Sequence, residues 1–254
     1  MSKCLQQFKP MKPIASFLQL FRWGNVLLGC LAVVVSAYIL GELDNWRVII
    51  VATIAVASII AASNAFNDVI DYEIDKIQRP GRPLPQHQVR IETAYYGAIA
   101  LFGLGIAVSA FINWQAWTIA TCIATLSIVY SLYLKGTPAI GNVTIAAIIG
   151  MTFLFSGSAF GELWRLAVPA YLTFGLTTVR EFVKDMADVE GDRALNVRTF
   201  PAKFGLETAE RFAIVLMGTI AVGSLLPYWL TAKPAYLTLS IVGVDFPFCV
   251  PYSF

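Results

Sequence analysis

The sequence predicts an all-α, multi-pass transmembrane helical bundle. Hydrophobic residues make up 57% of the 254 positions and charged residues only 13%, where soluble domains run near half apolar and a quarter charged. The mean hydropathy is +0.69. The apolar residues fall in long runs of Ala, Ile, Leu and Val, without the alternation of barrel strands. Lipid offers backbone groups no partners, so such runs must satisfy themselves as helices.

A span needs about 20 residues, which leaves room for about eight or nine. Eight runs are legible, near 15–40, 47–66, 92–112, 115–134, 138–159, 164–182, 208–230 and 235–250. The first is too long for a cleaved signal core and leads directly into further spans. Connections at 41–46, 113–114, 160–163 and 231–234 are very short, whereas 67–91 and 180–207 are long and polar. Three of the eighteen Lys and Arg (Arg47, Arg165, Lys233) lie on the short-loop side. The positive-inside rule then puts the N-terminus and both long loops in the cytoplasm of a cell-membrane protein. The composition excludes disordered, disulfide-stapled and nucleic-acid-binding classes. The four cysteines have no metal-ligand spacing and read as small buried hydrophobes. His87, the single histidine, lies in a polar loop and reads as a bystander.

Twelve of the sixteen acids lie in 68–92 and 181–210. Carboxylates beside an anionic membrane surface need a cation. Asn67-Asp68-Val-Ile-Asp71-Tyr-Glu73-Ile-Asp75 and Lys184-Asp185-Met-Ala-Asp188-Val-Glu190-Gly-Asp192 share the pattern D-x-x-D-x-x-x-D, displaced by 117 residues at every position. The motifs follow the second and sixth runs, so they lie on one side of the membrane as a parallel repeat. This predicts a single domain, 1–254, of two related halves, about 15–134 and 138–250. Steps of three and four return to one helix face, so each motif's three aspartates project together. Such stripes repel unless a divalent cation joins them, and hard oxygen donors without sulfur or imidazole suit Mg²⁺. Two facing stripes would hold two or more Mg²⁺ around a diphosphate.

Basic side chains interleave with these acids: Lys76, Arg79 and Arg82 after the first motif, and Arg180, Lys184 and Arg193 around the second. They can neutralise a diphosphate or simply anchor the cytoplasmic side. Pro80, Pro83 and Pro85 stiffen 79–85 into a candidate lid. Asn25, just after Arg22, and Tyr130, Lys135 and Asn142 are polar groups within or at the ends of spans. Such groups mark either a pathway or an interhelical hydrogen bond.

With these residues in view, the chain resembles the UbiA-type intramembrane prenyltransferases from about residue 15 to 230. NDVIDYEIDKIQRPGRPLP is similar to the first aspartate-rich motif of that superfamily. REFVKDMADVEGDRALNVRTFPAKFG is similar to the second motif of its digeranylgeranylglyceryl phosphate synthase branch. The resemblance implies nine helices around a central cavity open to lipid and capped by the two motif loops. It implies that Asn67, Asp71, Asp188 and Asp192 ligate Mg²⁺, with Asp68, Asp75 and Asp185 supporting. It also implies that Arg22 and Lys135 lie near the diphosphate, and that Asn25, Tyr130 and Asn142 line the cavity. Arg79, Arg82, Arg180 and Lys184 join the substrate-binding set, and Asp71, Asp188 and Lys135 are the expected catalytic side chains.

The implied reaction is transfer of a geranylgeranyl group from its diphosphate to the hydroxyl of geranylgeranylglyceryl phosphate, in ether-lipid synthesis. A homogentisate- or naphthoate-type aromatic acceptor is the alternative, and a cation-coupled transporter a remote one. The expected partners are a prenyl diphosphate, a lipid-like acceptor and membrane lipid, with no nucleic acid and no obligate protein partner. Two departures stand out. Pro85-Gln86-His87 replaces the usual Pro-Ser-Gly, and the tail VGVDFPFCVPYSF, where a ninth helix is due, carries Asp245, Pro247 and Pro251, as a truncated or frameshifted end would.

Overall fold

A computed structural model describes residues 13–190 and 199–225. The chain divides into two compact units. One contains Leu43–Ser131 with the chain up to Val35, and the other Ser36–Glu42 with the chain from Leu132. Every described regular element is helical.

Two helices, α1 (Pro13–Leu20) and α2 (Trp23–Leu40), the latter in the first unit as far as Val35, together cover the run expected as one span at 15–40. That expectation needs correction, because the helix breaks at Phe21 and Arg22. Arg22 adopts φ 51°, a left-handed conformation unfavourable for a side chain of its size. The interactions that hold this elbow are described with the site below.

The central element is α3 (Trp46–Ile70), whose buried stripe is Ala52, Ala55, Ile59, Ala62 and Phe66. Small residues at steps of three and four let neighbouring backbones approach, the usual means of helix association in lipid. The short α4 (Tyr72–Gln78) continues from α3 after a break at Asp71. Both α5 (Ile91–Ala110) and α6 (Trp114–Val129) pack on α3. Asn113 caps α6, its side-chain oxygen accepting from Ala116 N at 2.8 Å. A π-helical turn, Tyr130–Leu134, extends the end of α6.

In the second unit, α7 (Ile140–Ala159) packs on α8 (Ala167–Ala187), which follows a 3₁₀ turn at Leu163–Leu166. The same unit also contains α9 (Phe200–Phe204) and α10 (Leu206–Ser224). A Cβ added at Gly150 would lie 2.8 Å from the Ala170 carbonyl, and one at Gly175 2.6 Å from Ile220. Phe182, fully buried, meets Phe200 and Phe212 with ring centroids 5.2 and 5.0 Å apart. That cluster fastens the charged end of α8 to α9 and α10.

Among the described residues, five helical segments are long and apolar enough to cross a membrane: Trp23–Leu40, Trp46–Ile70, Ile91–Ala110, Trp114–Leu134 and Ile140–Ala159. The sixth run and the described part of the seventh are helical as expected, but Arg180, Glu181, Lys184 and Asp185 make the end of α8 far more polar than a typical span. The eighth run, 235–250, lies outside the described residues. Large side chains such as Leu28, Tyr38, Phe111 and Val215 are exposed, which suits a lipid-facing surface and would be unusual in water. Cys122 is exposed on α6, a correction to its expected burial; a small apolar group is tolerated against lipid. Trp46, Trp114 and Trp164 stand at or near helix starts beside the short connections, where indole rings favour the interface.

Gly105 gives a direct check of this packing. A Cβ there would lie 3.0 Å from the Ala55 carbonyl and 2.6 Å from Ile59. Gly105→Leu is expected to cost about 1–3 kcal/mol through overpacking, read as a lower unfolding midpoint in detergent. An unchanged midpoint would contradict the α3–α5 contact.

Candidate functional site

The first acidic motif straddles the break between α3 and α4, with Asn67 and Asp68 ending α3, Asp71 at the junction and Asp75 on α4. Asp68 and Asp75 are each 4% exposed and Asp71 6%. A buried carboxylate is tolerated only with charge and hydrogen-bond partners. Arg82 supplies them from the proline-rich loop, its Nη1 donating to Asp68 Oδ1 at 2.9 Å and to Asp75 Oδ2 at 2.5 Å. Arg22 adds a second guanidinium from the α1–α2 elbow, its Nη2 2.7 Å from Asp68 Oδ1. Asn67 Nδ2 donates to Asp71 Oδ2 at 2.9 Å.

Two residues that the sequence reading passed over complete the frame. Asn64 Nδ2 donates to the Phe21 carbonyl at 2.9 Å, which the break in the first run would otherwise strip of its helical partner. Its signal was an amide inside an apolar span. Ser16 Oγ donates to Gln88 Oε1 at 2.9 Å, tying α1 to the loop. That loop is itself well anchored: Pro83 and Leu84 are fully buried, and Gln86 and Gln88 bond back to the Arg82 and Pro83 carbonyls at 3.1 and 3.0 Å. Arg79 is exposed and caps α4 through its backbone, and His87 is exposed with φ 55°. Lys76 turns to Glu73 at 2.8 Å and lies 4.1 Å over the Tyr72 ring. The hydrogen bond to Glu73 raises the Lys76 ammonium above the ordinary lysine range.

Asn25 joins Arg22, Leu18, Gln19 and Trp23 around an open groove of about 500 Å³ at the elbow. Tyr130 opens the π-helical turn at the end of α6.

The second unit holds the other motif. Asp185 is half-buried near the end of α8 and Asp188 is exposed at its C-cap. Asn142 Nδ2, from the first turn of α7, donates to Asp185 Oδ2 at 2.7 Å. Arg180 and Lys184 flank Glu181 at 3.9 and 3.7 Å, long separations typical of loose surface pairs. Glu181 lies in the acid-rich segment 181–210 but outside the repeated motif, so the sequence assigns it no role. Lys135 is exposed just beyond the π-helical turn. Asp192 lies outside the described residues. Among the described residues, no three carboxylates converge closely enough to cage a metal on their own.

The UbiA prenyltransferase family matches residues 26–249, and the chain belongs to that family. It is 39% identical over 215 residues to the digeranylgeranylglyceryl phosphate synthase of Methanopyrus kandleri, covering 84% of this chain and 78% of that protein. The Saccharolobus solfataricus protein of the same name is 33% identical over 244 residues, covering 93% and 85%. A solved structure concerned with digeranylgeranylglyceryl phosphate synthase in membranes aligns with TM-score 0.83 and 29% identity, over 91% of this chain and 84% of that one. A UbiA homologue from Archaeoglobus fulgidus, solved with DMAPP and Mg²⁺, shares the fold at TM-score 0.72 and 16% identity over 92% and 85%.

Asn64→Leu is expected to cost about 1 kcal/mol by orphaning the Phe21 carbonyl, measured as a shift in thermal midpoint. A midpoint equal to the parent's would remove Asn64 from the elbow's support.

Proposed function

We propose that this chain transfers a geranylgeranyl group from geranylgeranyl diphosphate to the free hydroxyl of geranylgeranylglyceryl phosphate, with Mg²⁺, in ether-lipid synthesis. The observation that carries the reading is the duplicated acidic motif at the charged ends of α3 and α8, in a chain whose similar relatives bear that synthase name over most of both lengths. The donor set fits Mg²⁺, since it offers hard carboxylate and amide oxygens and too few of them to fill an octahedron, as suits an ion that keeps water and phosphate ligands. Asn67 and Asp71 in the first unit, and Asp188 and Asp192 in the second, would serve as its ligands, and within the second unit Asn142 steadies Asp185. Bound Mg²⁺ supplies Lewis-acid neutralisation of the diphosphate.

The chain's own cations, Arg22, Arg82 and Lys135, bind and orient phosphate oxygens, with Arg79, Arg180 and Lys184 on the approach. Asn25, Tyr130 and Asn142 line the path of the substrates. The charge and hydrogen bonds of the three cations favour breaking of the allylic C1–O bond, in which the electron pair leaves with diphosphate. The acceptor hydroxyl then forms the new C1–O ether bond, and its proton passes to a phosphate oxygen. Apolar walls keep water from the reacting carbon. The proposed topology has eight spans in two related halves, 15–134 and 138–250, with the N-terminus and both acidic segments cytoplasmic. Fifteen of eighteen basic residues on that side support it.

Membranes containing the chain, given labelled geranylgeranyl diphosphate and Mg²⁺, are expected to convert geranylgeranylglyceryl phosphate to a labelled diether, and chelation with EDTA should abolish product. Labelled homogentisate or dihydroxynaphthoate in place of the diether would overturn the acceptor while keeping the transfer chemistry.

A further inference from the structure

The break in the first apolar run leaves α1 with an exposed apolar face at a depth where a spanning helix has no need of one. We infer that α1 is an interfacial anchor, its outer face seated in the headgroup region of the bilayer on anionic phospholipid. The inference concerns the first unit alone and does not depend on the reaction proposed above.

Depth comes from helix length. The 18 residues of α2 make about 27 Å of helix, close to the ~30 Å of a hydrocarbon core. The elbow is held level with Asn64 and Asp68, because Asn64 reaches the Phe21 carbonyl at 2.9 Å and Arg22 reaches Asp68 at 2.7 Å. Asn64 lies about 27 Å along α3 from Trp46, the first residue of that helix and an interfacial indole at the far surface. So α2 alone crosses the core, and α1 begins at the opposite interface. The left-handed backbone at Arg22 lets α1 leave the α2 axis at that level.

The two faces of α1 differ. Ser16 and Leu20, one helical step apart, are buried, and Ser16 is tied to Gln88 in the proline-rich loop. Ile14 and Leu18, spaced the same way on the opposite side, are 75% and 48% exposed, and Trp23 is exposed just past the elbow. An apolar stripe with an indole beside it suits the boundary between headgroups and acyl chains.

Charge selects the lipid. The first 41 residues contain Lys3, Lys9, Lys12 and Arg22 and neither Asp nor Glu. Cations next to a short apolar helix face are drawn to an anionic surface. A second copy of the chain would bring the same cations against themselves, which disfavours self-association through this face.

The test uses the full chain with p-benzoylphenylalanine in place of Ile14 or, separately, of Leu18. Each variant is reconstituted in nanodiscs of phosphatidylcholine and phosphatidylglycerol, irradiated, and weighed by mass spectrometry. Both positions are expected to yield protein heavier by one phospholipid. Phosphatidylglycerol should be over-represented among the adducts roughly threefold or more relative to its share of the bilayer. Adding Lys9→Gln and Lys12→Gln should bring that ratio toward the bilayer composition while adducts still form. Absence of lipid adducts at both positions, or crosslinks joining two copies of the chain, would overturn the anchor. Adducts in the bulk lipid ratio with all lysines present would overturn the anionic preference.

Discussion

Asp68 is a carboxylate buried at the end of a membrane-spanning helix, and the first unit is organised around its charge. An isolated carboxylate at 4% exposure would carry a desolvation penalty of several kcal/mol. Meeting it takes Arg22 and Arg82, and bringing them there dictates local structure on both sides. The first apolar run must break so that Arg22 turns back toward α3, and the chain after α4 must fold back so that Arg82 reaches Asp68 and Asp75. The left-handed backbone at Arg22, the amide of Asn64 on the Phe21 carbonyl and the link from Ser16 to Gln88 follow from that demand.

Rigidity for this arrangement comes from small residues. Alanines along α3 and Gly105 on α5 bring two backbones close enough for side chains to interlock without a hydrophobic driving force. Gly150 and Gly175 do the same on α7 and α8 in the second unit. There the Phe182, Phe200 and Phe212 rings take over where α8 becomes polar, so the segment bearing Asp185 and Asp188 is anchored by aromatic packing.

Much of this was legible in the sequence, because the strongest signals were chemical. Apolar run length fixes helical class, and a D-x-x-D-x-x-x-D pattern repeated at a constant offset has few uses besides cation binding. The break at Arg22 was not legible: hydropathy averages over 15–40, and neither Pro nor Gly marks residue 21 or 22. Partner choice was not legible either. Sequence spacing puts Asp68, Asp71 and Asp75 on one stripe as equals, and only the return path of the proline-rich loop shows that Arg82 spans two of them. Asn142 was noticed as a polar group in a span, but its partner, Asp185, is 43 residues away, beyond what local periodicity can pair.

The claim on which everything else depends is that the two acidic motifs serve one chemistry. It is tested most directly by the rate of prenyl transfer in the Asp71→Asn, Asp188→Asn double variant, in membranes holding as much folded protein as the parent. Transfer is expected to fall by on the order of a thousandfold or more, as when charge stabilisation at a leaving group is lost. A double variant that transfers at the parental rate would contradict the metal–diphosphate role of both motifs.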